Sequence, residues 1–99
     1  MGERKITVGG REFTLLPCPA IGLKAIGSNF MEIGTGSQAG IDALVDGIYY
    51  GVKRGALDDA TITRDHFLWN IDPTNAAELT QAFAEVNGAA VREAAPGEA

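Results

Sequence analysis

Two glycines, Gly9 and Gly10, separate two short runs in which polar and apolar residues alternate. Arg4-Lys5-Ile6-Thr7-Val8 precedes them and Arg11-Glu12-Phe13-Thr14-Leu15 follows. Both glycines can take positive φ at no steric cost, so the pattern predicts a β-hairpin with a two-residue turn. That turn fixes the register: Val8 opposite Arg11, Ile6 opposite Phe13 and Arg4 opposite Leu15. Ile6, Val8, Phe13 and Leu15 then share an apolar face, while Lys5, Thr7, Glu12 and Thr14 share a polar one. A lone two-stranded hairpin is marginal in water, so the apolar face needs a helical layer beneath it.

The rest of the chain supplies that layer. Pro17-Cys18-Pro19 ends the second strand, because proline cannot donate to a ladder. Leu23, Ile26, Phe30 and Ile33 form a stripe that predicts a first helix over 20–33, weakened by Gly22 and Gly27 at roughly 1 kcal/mol each relative to alanine. Gly34-Thr35-Gly36-Ser37-Gln38 has no periodicity and reads as a loop. Ile41, Leu44, Val45, Ile48, Tyr49 and Val52 fall at i, i+3, i+4, i+7, i+8 and i+11, which predicts a helix over 39–54. Lys53 and Arg54 complement its dipole, and Gly55 stands where a cap belongs. Residues 56–62 read as a connection. Thr63 caps a short helix over 63–71 with Phe67, Leu68 and Ile71 inward, stopped by Asp72-Pro73. Thr74 or Asn75 caps a last helix over 75–87. Its buried stripe is Leu79, Ala82, Phe83 and Val86, its solvent face is Glu78, Gln81 and Glu85, and it ends at Asn87-Gly88. The expected architecture is α+β: one domain over 1–88, a hairpin over 4–15 on a bundle of about four helices, with a flexible tail over 89–99.

Several function classes are disfavoured. No apolar run approaches the ~20 residues that span a bilayer, and MGERKITVGG is charged where a signal peptide is apolar, which predicts a cytoplasmic protein. Eight basic against thirteen acidic residues give a net charge of −5, which opposes binding to nucleic acid. The single cysteine forms no internal disulfide, and Cys18 with His66 cannot make a structural zinc site. His66 has no positioned partner: Asp65, its neighbour, points ~100° away on a helix. Cys18 reads as a structural thiol. Asp42 with Asp46, and Asp58 with Asp59, read as solvated rim carboxylates rather than a metal site. Gly34-Thr35-Gly36-Ser37 lacks the lysine and the strand-loop-helix frame of a phosphate loop. The expectation is no catalytic residue, no cofactor and no metal.

Aromatic residues point instead to protein contacts. Tyr50 lies ~180° from the apolar stripe of its helix, and the stripes do not claim Trp69. Both residue types anchor interfaces. Tyr50, Trp69, Tyr49 and Phe30 are therefore the candidate interaction residues. The open edges of the hairpin are a second route to association.

The second half of the chain also carries a resemblance. Gly47-Ile48-Tyr49-Tyr50-Gly51-Val52-Lys53-Arg54, then Thr61-Ile62-Thr63-Arg64-Asp65, then Asp72-Pro73-Thr74-Asn75-Ala76-Ala77-Glu78-Leu79, ends in Phe83-Ala84-Glu85-Val86-Asn87-Gly88. Over roughly residues 41–88 this resembles the tail assembly chaperones of long-tailed bacteriophages and prophages. In that family a helix ending in a small, basic stretch precedes a Thr-x-x-x segment. A short helix then leads into a last one that ends in Asn-Gly or Ser-Gly. The resemblance implies a non-enzymatic α+β protein of the host bacterial cytoplasm, absent from the mature virion. It further implies binding to the tape measure protein and recruitment of tail tube subunits, with weak self-association as a further expectation. It also implies that a frameshifted, longer product would extend from the alanine-rich segment after Ala89. No membrane or nucleic-acid partner is expected. The alternatives are a structural virion component, such as a head-tail connector or tail terminator protein, and a small helix-turn-helix regulator. For the regulator, the reading helix would offer only Arg64, His66 and Asn70 beside Asp65.

Overall fold

The computed structural model describes residues 2–88, so the tail expected over 89–99 lies outside the described residues. Strand β1 (Arg4–Val8) pairs antiparallel with β2 (Arg11–Leu15) in the predicted register, with Ile6 opposite Phe13 and Val8 opposite Arg11. Gly9 and Gly10 close the turn at φ of 61° and 78°, values that L side chains rarely adopt. Ile6, Val8, Phe13 and Leu15 are all buried, and Lys5, Thr7 and Glu12 face outward. Helices cover the apolar face of the hairpin, as its alternation requires.

The first helix is shorter than its stripe suggests. α1 covers Ala20–Ile26 alone, and the chain continues as a 3-10 helix over Gly27–Glu32. Gly27 is the cause. Its N–H still bonds to the Leu23 carbonyl, but its φ of 60° turns the chain off the helix axis. Within α1 the buried face is Gly22 and Ile26, with Gly22 against Cys18 and Tyr50, so the expected stripe is not kept. Ile26 is buried and Phe30 and Ile33 pack at the core edge, whereas Leu23 is exposed.

α2 (Gln38–Arg54) begins where Ser37 Oγ accepts the N–H of Gly40 at 3.0 Å, an N-cap at the end of the glycine loop. Leu44, Val45, Ile48 and Val52 are buried along it. Lys53 and Arg54 also organise the chain around them. Lys53 Nζ donates to the carbonyl of Asp59 at 2.6 Å, and Arg54 donates to that of Pro17 at 3.0 Å. α3 (Arg64–Asn70) is capped by Thr63, whose Oγ1 accepts the N–H of His66. Phe67 and Ile71 are buried, one turn apart. Leu68, expected inward, is 41% exposed, because a seven-residue helix buries a single narrow face and Leu68 lies ~100° round from Phe67.

α4 (Ala76–Asn87) follows Asn75. The Asn75 side chain does not cap the helix; it accepts the N–H of Asp72 at 2.9 Å and donates to the carbonyl of Asn70 at 2.8 Å, sewing α3 to α4. Leu79, Ala82, Phe83 and Val86 are buried, and Glu78, Gln81 and Glu85 are exposed, as the periodicity predicts. At the far end, Asn87 Oδ1 accepts the N–H of Cys18 at 2.9 Å and ties α4 to the segment after β2.

β2, α1, the 3-10 helix, α3 and α4 all pack on α2. Two of its glycines set how closely they approach. A Cβ at Gly47 would lie 2.6 Å from the ring of Phe83, and one at Gly51 would lie 2.5 Å from the carbonyl oxygen of Leu16. The N–H of Leu16 in turn bonds to the carbonyl of Gly51 at 3.2 Å, so backbone meets backbone there. Gly51→Ala is expected to destabilise the fold by about 1–3 kcal/mol through overpacking, even though alanine is the better helix former by about 1 kcal/mol. Urea denaturation measures this. An unchanged or raised midpoint would show that the β2–α2 contact yields easily.

Candidate functional site

His66, Cys18, Asp46 and Asp59 are committed to the fold, whereas Asp58 is exposed as expected of a rim carboxylate. His66 is half-buried, with Nε2 2.9 Å from the carbonyl oxygen of Val8 and its ring edge-on to Phe13 and Phe67. It locks the hairpin turn to α3. Asn70 supports the same junction: its amide donates to the carbonyl of His66 at 2.7 Å and lies under Gly9. Arg64 Nε donates to Asp46 at 2.6 Å. Arg64, His66 and Asn70, the polar residues available to a DNA-reading helix, are therefore all bound to atoms of the fold itself.

The carboxylate pairs separate. Asp46 is not a solvated rim residue: its side chain is 14% exposed and bonded to Arg64, because α3 packs over that part of α2. Asp42 accepts the amide of Gln38 at 3.0 Å. Asp59 turns into its own loop, where the Thr61 hydroxyl and N–H hold its carboxyl below the usual range, with Arg11 contributing from 3.5 Å. Among the described residues, no group of three or more His, Cys, Asp or Glu is placed to hold a metal ion.

Cys18 is buried. Desolvation, then the charge of Asp46, push its thiol up to about 11 from 9.0, with Arg54 opposing. The thiol is therefore protonated at neutral pH, when a cysteine is a poor nucleophile. Its raised pKa contributes stability that is fully present below pH 9 and lost as pH rises toward 11. An aromatic disulfide reagent at pH 8 is expected to label native Cys18 far more slowly than the unfolded chain. Equal rates would contradict the burial described here.

The four aromatic candidates do not come together. Phe30 packs on Phe83 with ring centroids 6.1 Å apart. Tyr49 sits against Tyr50 at 4.8 Å and Phe67 at 6.1 Å. Tyr50, expected on the side opposite the core, is covered by α1: a Cβ at Gly22 would lie 2.8 Å from Tyr50 Cβ. The helical wheel placed Tyr50 away from the stripe, but α1 turns that side of α2 into a second packed face. Trp69 differs from the other three at 85% exposed, with Leu68 beside it.

A groove of about 320 Å³ lies where the loop before α2 meets the start of α4, lined by residues that include Gly34, Gly36, Ile41, Leu44, Pro73 and Ala77. It was not visible in the sequence pattern. Its walls come from three separate segments, with Ile41 and Leu44 of α2 beside small residues, and the one sequence signal is the density of glycine and alanine at 34–40 and 76–77. Ile21, Met31 and Leu57 are further exposed apolar residues. No described helix is long and apolar enough to cross a membrane.

Compared with known proteins, the chain matches no family model, no curated protein and no solved structure.

His66→Ala is expected to destabilise the fold by about 1–3 kcal/mol, since it removes the bond to Val8 and leaves a gap between two phenylalanines. The loss should appear as faster amide exchange in β1 and β2 and in α3. Unchanged exchange in the hairpin would contradict the latch.

Proposed function

We propose that this chain is a non-enzymatic tail assembly chaperone of a phage or prophage, binding the tape measure protein and helping to recruit tail tube subunits. The observation that carries the reading is Trp69, a large aromatic left 85% exposed on a helix that is anchored from its other side by fully buried Phe67. Exposed tryptophan on a rigid element suits a docking anchor. The α+β form, with a hairpin on four helices, agrees with what the resemblance over residues 41–88 implies. The commitment of Cys18, His66 and Asp46 to packing and hydrogen bonds favours a binding role over a catalytic one.

The mechanism is physical. A tape measure protein is long, and its apolar helical surface aggregates when bare. A small acidic protein covers part of that surface, and its net charge of −5 keeps the complex dispersed. Several copies along one partner bind weakly one by one and firmly together, so incoming tube subunits displace them in turn. The work takes place in the host cytoplasm, and the protein leaves before the virion is complete.

Trp69→Glu tests the reading. Co-expressed with a tagged tape measure protein, the wild-type chain should co-elute, and the variant should be lost from the eluate with its circular dichroism unchanged. Tyr50 is a poorer position, because a charge there would disturb α1. Undiminished co-elution of Trp69→Glu would remove Trp69 from the interface, and failure of the wild type to bind would overturn the chaperone reading itself.

A further inference from the structure

α3 is held firmly: Phe67 is fully buried, Thr63 caps it, Arg64 bonds to Asp46 and His66 bonds to Val8. Leu68 and Trp69, at 41% and 85% exposed, therefore form a fixed apolar ridge rather than a loose one. Asp65 lies one helical turn before Trp69, and Asp72 follows the end of the helix; both are exposed. Among the described residues neither makes an ion pair, and Arg64, the one cation of α3, is spent on Asp46. Asp72 keeps its charge, since the Thr74 hydroxyl and N–H hold its carboxyl below the usual range.

We propose that the Leu68–Trp69 face of α3 is a docking surface for a helical protein segment whose apolar stripe is flanked by lysine or arginine. This deepens the proposed function and rests on it for the identity of the partner. Three arguments select the occupant. Lysine or arginine beside the apolar stripe brings positive charge toward exposed Asp65, one helical turn before Trp69, and toward the electron-rich face of Trp69, with exposed Asp72 adding negative charge at the far end of the helix. A helix face offers no sheet edge for an extended strand to pair with, which favours a partner whose backbone is already hydrogen-bonded within itself, as in a helix. An isologous contact with a second copy would set this face, with its Asp65 and Asp72, against itself, and an anionic membrane would likewise bring negative charge against them.

Trp69 is the only tryptophan in the chain, so its emission reports on this face alone. The probes are two synthetic amphipathic helices of one pattern, the first of leucine and lysine, the second of leucine and glutamate. The lysine peptide is expected to shift Trp69 emission to the blue and shield it from acrylamide, weakening as salt rises. The glutamate peptide should leave it unchanged. Asp65→Asn should weaken the lysine peptide about threefold, the scale of one exposed charge contact. Glu12→Gln, which removes one charge from the outer face of the hairpin, should not weaken it. Equal binding of both peptides, or equal weakening by both substitutions, would overturn the proposal in favour of bare apolar contact or net charge. A shift that grows with protein concentration alone would do so in favour of a second copy, and one produced by phosphatidylglycerol vesicles in favour of a membrane. No shift with the lysine peptide, while an intact tape measure protein still co-elutes, would place the docking surface elsewhere and leave the chaperone reading standing.

Discussion

The contact of β2 with α2 is the interaction on which the rest of the structure depends. A two-stranded hairpin has too little surface to hold itself together, and this one buries Leu15 completely against a helix that lacks a side chain at Gly51. The absent Cβ lets the Leu16 N–H reach the Gly51 carbonyl, so strand and helix share a hydrogen bond as well as an apolar face. Gly47 admits the Phe83 ring by the same means, one turn earlier on α2. Fully burying residues such as Phe67, Phe83, Leu15 and Ile48 contributes about 1.5–3 kcal/mol each by area transfer, and all four belong to the one core cluster.

Side-chain bonds at the seams then fix what the core leaves free. His66 holds the hairpin turn to α3, Asn75 joins α3 to α4, and Asn87 joins α4 back to the segment between the two prolines. Arg4 reaches Glu85 at 2.8 Å and Arg11 reaches Asp59 at 3.5 Å, both on the surface, where such pairs are worth little. His66, Asn70 and Asp46, which carried chemical promise, are used in this way. Trp69, 85% exposed, has no such role among the described residues.

Strong periodicity made most of the fold legible in the sequence. The hairpin register followed from Gly9-Gly10 and strict alternation, and the buried faces of α2 and α4 followed from apolar residues at helical spacing. The errors share a cause: each needed knowledge of a neighbour. Leu23 lost its place in the stripe because α1 turns Gly22 and Ile26 inward, with Gly22 against Cys18 and Tyr50. Tyr50 seemed unclaimed because α1 could not be placed against α2. Asp46 read as solvated because the position of Arg64 was unknown. The groove between Gly36 and Ala77 could not be read at all, since its walls are far apart in sequence.

The central claim is that this chain protects an apolar helical partner by covering it. The most direct measurement is the soluble fraction of a tape measure protein expressed with and without this chain at matched levels. The account predicts that the tape measure protein sediments when expressed alone and stays in the supernatant when this chain is present in excess. Equal sedimentation in both cases would contradict it.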